Sequence, residues 1–109
     1  MLDKEKRNKM KIKIKLSEFW KSKEKLAIHC NTEEKANKLL TAFDKLGKKW
    51  LYGNSYLESN YWEYNKKNTC YNNSNQYADI HWYKHNNYKI YEFEDIDFDE
   101  EIKENEKNN

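Results

Sequence analysis

The chain has no proline, only two glycines and only two cysteines among its 109 residues. Without proline there is no proline-rich linker. Two glycines cannot build a loop that cradles phosphates. Cys30 and Cys70 are too few for a disulfide framework and form no Cys-x-x-Cys zinc pair. A bridge between them is open but not dictated by their spacing. No apolar run approaches the roughly 18 residues of a membrane span, and no signal-peptide core follows the basic start. Together these absences place the expected protein in a reducing cytoplasm, that of a host cell once the resemblance described below is added.

Catalytic and metal signatures are also scarce. His81 and His85 stand four apart, with His29, Cys30 and Cys70 as further donors. With His81 on a strand and His85 in the turn after it, the four-residue spacing does not stack the two side chains on one face as a helix would. There is no His-Glu-x-x-His. A Cys70–His81 dyad can be drawn, but neither residue sits in a nucleophile motif. The expectation is a non-enzyme with no metal and no cofactor.

What is present is an uneven spread of charge and rings. Residues 1–49 hold 15 of the 21 Lys+Arg and 7 of the 19 Asp+Glu, a balance of +8; residues 50–109 hold the other 6 and 12, a balance of −6, and all 9 tyrosines. Such asymmetry points to recognition of a charged partner. Charged residues make up 37% of the chain and aromatics 16%. The aliphatic core is therefore thin, and large rings, burying about 150–250 Å² each, must complete it.

Along the chain, residues 1–10 read as a flexible segment. Patterning begins after Met10, which makes Met10 a candidate start of translation. Residues 11–99 read as one α+β domain and 100–109 as a disordered acidic and polar tail. Lys11 to Leu16 alternates lysine with Ile12, Ile14 and Leu16, which predicts a half-buried edge strand that Phe19 and Trp20 either extend or cover. Leu26 to Cys30 predicts a second strand. Asn31 or Thr32 then caps a helix whose apolar stripe is Ala36, Leu39, Leu40, Phe43 and Leu46, closed by Gly47. Trp50 to Tyr52 predicts a short strand and Gly53 to Lys67 a long loop with one helical turn. Thr69 to Asn72, Ala78 to Tyr83 and Tyr88 to Phe93 predict three more strands, with Glu94 to Asp99 prolonging the last. The expected fold is an antiparallel sheet of four to five strands with one amphipathic helix on one face.

Three sets of residues suit binding. Asp95, Asp97 and Asp99 alternate after Glu94; in an extended strand they would lie about 6.6 Å apart on one face, close to a phosphate spacing. Such a row could imitate a nucleic-acid backbone, or simply guard a sheet edge. Tyr56, Tyr61, Trp62 and Tyr64, on the loop, are the rings least needed for the core and so the first candidates for a partner surface. Lys11, Lys13 and Lys15 could contact phosphates of single-stranded nucleic acid, or form a solvated strand face.

The segments from Ile28 to Ala36, Leu39-Leu40, Gly47-Lys48-Lys49-Trp50, Asn68-Thr69-Cys70-Tyr71 and Tyr88 to Phe93 resemble small uncharacterised proteins carried by phages and prophages of low-GC Gram-positive bacteria. The resemblance spans roughly Leu26 to Phe93. It implies a mobile-element setting, where such proteins block host defences, CRISPR nucleases among them. It implies no catalytic residues. The expected function is a phage-encoded inhibitor that contacts a host defence factor, such as a CRISPR effector, through Tyr56, Tyr61, Trp62, Tyr64, Glu94, Asp95, Asp97 and Asp99. On that reading, Asp95→Lys with Asp97→Lys abolishes binding without unfolding the domain. The alternatives are a single-stranded nucleic-acid-binding accessory protein, a sponge for a nucleotide signal, and a self-associating phage assembly protein.

Overall fold

The computed structural model describes residues 13–98. Both expected terminal segments, and with them Met10, Lys11 and Asp99, lie outside the described residues.

The first strand, β1 (Ile14–Lys15), is shorter than its alternation suggests, because Leu16 opens a helix, α1 (Leu16–Lys21). From Leu16 the apolar spacing changes from two to three and four: Leu16, Phe19 and Trp20 share a helix face. The Glu18 carboxylate reaches back to accept from the Lys15 amide at 3.3 Å, satisfying a donor at the new N-terminus. Next comes β2 (Leu26–His29), then α2 (Glu33–Lys45). Thr32, rather than Asn31, is the cap, its Oγ1 accepting from the Lys35 amide at 3.2 Å. Gly47, at φ +82°, lets the Lys48 amide donate to the Phe43 carbonyl at 3.1 Å and close the C-terminus.

Trp50–Tyr52 is a turn and not the expected strand. The Trp50 amide donates to Asn54 O at 2.9 Å and the Gly53 amide to Trp50 O at 2.8 Å, so only Lys49 and Ser55 bridge as a strand pair would. The long segment that follows carries a short helix, α3 (Trp62–Asn65), and a 3₁₀ turn, Lys66–Asn68. Hairpin β3 (Thr69–Asn72) and β4 (Tyr77–Asp79) is as expected, but Ile80–His85 is a helix, α4, rather than the rest of a strand. Asp79 starts it by accepting from the His81 amide at 2.7 Å, and Ile80 and Tyr83 bury one face. β5 (Lys89–Glu92) is followed by a second 3₁₀ turn, Phe93–Asp95, and by β6 (Ile96–Asp97).

The architecture is α+β, and its main sheet is mixed. The order is β4-β3-β2-β5, with β2 antiparallel to β3 and parallel to β5, pairing Ile28 with Tyr91. The all-antiparallel expectation fails because α4 replaces the tight turn a meander needs, and the chain re-enters in the direction of β2. A separate parallel pair joins β1 to β6, with Ile14 opposite Ile96. Several helices, and not one, accompany the sheets. Alternate residues of β2 divide the core. Leu26 and Ile28 join Leu39, Leu40, Phe43, Trp50 and Tyr71 in the larger cluster, while Ala27 joins Cys70, Ile80 and Tyr83 in the smaller. The two clusters therefore occupy opposite faces of the sheet.

Candidate binding site between two aromatic grooves

The segment from Trp50 to Tyr64 has no strand ladder to hold it, so side chains do. Asn60 is the anchor. Its Nδ2 donates to Glu33 Oε2 at 2.9 Å and Asn37 Oδ1 at 2.8 Å, its Oδ1 accepts from the Trp62 amide at 3.0 Å, and its carbonyl accepts from the Tyr71 hydroxyl at 2.6 Å. Trp50 Nε1 donates to Ser59 O at 3.0 Å. These bonds tie the loop to α2 on one side and to β3 on the other.

Rings stand on that frame. Tyr61 lies flat on Tyr77, with centroids 4.6 Å apart and planes 5° apart, and meets Trp50 edge-on at 4.9 Å. Tyr64 adds a third ring 6.2 Å from both tyrosines. Tyr61 holds a left-handed backbone, φ +54°, which costs a non-glycine residue of order 1 kcal/mol. Tyr61, one of four described non-glycine residues with positive φ, is thus also the one whose ring lines both of two open grooves. The first, about 460 Å³, is lined by Asn37, Tyr56, Leu57, Asn60, Tyr61 and Tyr64, among others. The second, about 510 Å³, has Trp50, Tyr52, Tyr61, Asn72, Tyr77 and Trp82 in its lining. The large apolar side chains most exposed among the described residues are Leu51, Tyr52, Leu57, Tyr64 and Trp82. All five line one groove or the other.

The predicted residues are placed as follows. Tyr61 and Trp62 are half-buried and Tyr64 is 65% exposed, all on the loop as expected. Tyr56 is buried, 4.4 Å from the Trp50 ring and 5.3 Å from Phe43, so its ring belongs to the core; burial pushes its hydroxyl pKa up. The acidic row is not one extended face. Asp95 is buried in the 3₁₀ turn Phe93–Asp95, where its Oδ2 accepts from the Glu92 amide at 3.0 Å. Glu94 pairs with Lys35 of α2, whose hydrogen bond holds the carboxyl below its ordinary range. Asp97 lies in β6 opposite Lys15, and Asp99 is outside the described residues. Since Asp95 is buried and bonded, Asp95→Lys would unfold its turn, and the double charge reversal cannot separate binding from stability. Lys13 is exposed and Lys15 half-buried, and neither lines a groove.

Chemistry at the remaining candidates is muted. Cys30 and Cys70 are free, fully buried, and burial raises both thiols far above their ordinary range. No group of three or more His, Cys, Asp or Glu that could hold a metal occurs among the described residues. No helix among them is long and apolar enough to cross a membrane. Tyr52, Leu57, Tyr77 and Trp82 also line the grooves; strand alternation left the three rings able to point either way, and Leu57 carried no signal. Tyr52 sits two residues after Trp50, where a strand was expected to bury alternate side chains; the glycine-closed turn turns it outward instead. No family model, curated protein or solved structure matches the chain. The site and fold together define a small α+β protein with a paired aromatic groove.

Proposed function

We propose that the chain is a non-enzymatic binding protein that acts by direct contact with another protein. The observation that carries this reading is the gathering of all five of the most exposed large apolar side chains around two grooves that share Tyr61. Apolar surface gathered in this way is typical of recognition sites, and tyrosine and tryptophan dominate such contacts. The resemblance to phage and prophage proteins supplies the setting. The partner is a host defence protein, such as a CRISPR effector, met in the host cytoplasm and inhibited by occupation of one of its surfaces. The contact rests on the rings, with Leu57 and Tyr64 at its centre, rather than on charge mimicry, because Asp95 is buried and Glu94 is paired.

The test is affinity capture from host lysate after nuclease treatment, with the wild-type chain beside a Leu57→Asp/Tyr64→Ala variant. Both side chains are exposed, so the variant keeps its fold. The expected result is a defined protein retained by the wild type and absent from the variant. Retained nucleic acid that disappears with nuclease, or a partner held equally by both chains, overturns the reading.

A further inference from the structure

The second groove differs from the surface around it. Charged residues make up 37% of the chain, yet none of the side chains lining this groove is charged. It is lined instead by aromatic rings and by the carboxamides of Asn54, Asn72, Asn75 and Gln76. Tyr52, at 93% exposure, and Trp82, at 50%, present open ring faces at its margin.

Asn72 is the key to the ligand. Its side chain is 1% exposed, and its Oδ1 is fully occupied, accepting from the Ser74 and Gln76 amides at 2.9 Å each. These two bonds fix which end of the amide is oxygen. Nδ2 is therefore a donor, and it meets no acceptor among the described residues. Nδ2 is not sealed from solvent: Asn72 belongs to the groove lining, where a ligand hydroxyl can accept from this donor in place of water. Gln76 and Asn54, also in the lining, each bring a carboxamide with a donor and an acceptor.

We propose that this groove binds a neutral saccharide. A pyranose offers an apolar C–H face, which stacks on tyrosine and tryptophan, and a rim of hydroxyls, each both donor and acceptor. That pattern answers open rings and carboxamides. The volume suits a ligand of two or three sugar units, since small-molecule sites fall at about 300–1,000 Å³. The absence of a cation in the lining disfavours a nucleotide, whose phosphates need Lys, Arg or clustered backbone amides. The absence of any charge likewise disfavours acidic sugars. The site shares Tyr61 with the protein contact proposed above, which centres on Leu57 and Tyr64 in the other groove, so the Leu57→Asp/Tyr64→Ala variant tests that contact and Trp82→Ala tests this one.

The experiment uses the full chain and ¹H–¹⁵N spectra, following the Asn72 side-chain amide and the Trp82 indole. The probes are cellotetraose, maltotetraose and chitotetraose, with adenosine and uridine as neutral flat-ring controls, each to about 10 mM, a range that captures weak sites. Both signals are expected to shift with at least one oligosaccharide. Asn72→Asp keeps an oxygen for the Ser74 and Gln76 amides, removes the donor and adds a carboxylate; it should weaken binding at least tenfold, about the worth of one hydrogen bond or more. Trp82→Ala should weaken it comparably. The proposal is overturned if no oligosaccharide shifts these signals, if only a nucleoside does, or if folded Asn72→Asp binds as the wild type does.

Discussion

Single residues in this protein are decided by what surrounds them more than by what they are. Tyr56 and Tyr64 share a loop and a residue type, yet one is core and the other open to solvent, because Tyr56 falls between Phe43 and Trp50. Loop membership was visible in the sequence; that neighbourhood was not. Cys30 and Cys70 are buried and protonated on opposite sides of the sheet. Native protein should therefore react negligibly with a thiol reagent such as dithionitrobenzoate, and denatured protein should titrate both thiols; fast reaction of either in the native state would contradict their burial. Glu94 gives a pH dependence of known sign. Its folded pKa is lowered by Lys35, so the pair stabilises the protein above the ordinary carboxylate range and is lost as pH falls through the folded value. The pair is exposed, and Glu94→Gln should change stability at pH 7 by less than about 1 kcal/mol and flatten only the acid limb of a pH–stability profile.

At the scale of elements, legibility followed length and redundancy. Helix α2 was readable because a cap, first-turn acids, a three-turn apolar stripe and a terminal glycine all agree. Thr32→Ala should cost about 1 kcal/mol in chemical denaturation. Gly47→Ala should cost about the same, not through crowding, since nothing lies near the new methyl, but through its left-handed backbone. Helices α1 and α4 were hidden because each is six residues long and begins inside a run that alternates like a strand. The change of period occupies too few residues to outweigh the alternation before it. The groove shared the fate of α4. Reading Ala78–Tyr83 as a strand put Trp82 on a sheet face, whereas the helix packs it against Tyr83 and Tyr88 and brings it into the lining of the second groove. Another device invisible to pattern is Asn73, whose Nδ2 donates to Phe19 O at 3.2 Å and Glu24 O at 3.0 Å while its Oδ1 accepts from the Leu26 amide at 3.3 Å. Its spacing from those partners in sequence carries no local signal, yet it pins the β3–β4 turn to the α1–β2 connection.

For the whole molecule, the mixed sheet sets an order of stability. β2 and β3 are central, buried on both faces and flanked by strands; β1 and β6 are two residues each and stand apart. Hydrogen exchange should find the amides of Ile28 and Tyr71 protected to the global unfolding limit, and those of the β1–β6 pair exchanging through a lower-energy opening. Equal protection in both would show that the small pair is welded to the main sheet. That pair also has a mechanical meaning. Because β1 and β6 run parallel, a load applied to the two chain ends draws them in opposite directions along their length, so the bonds between them are sheared together rather than unzipped one at a time. Tugged from its ends, the protein meets this small clasp first, and the sheet that supports the groove bears tension only after the clasp has slipped.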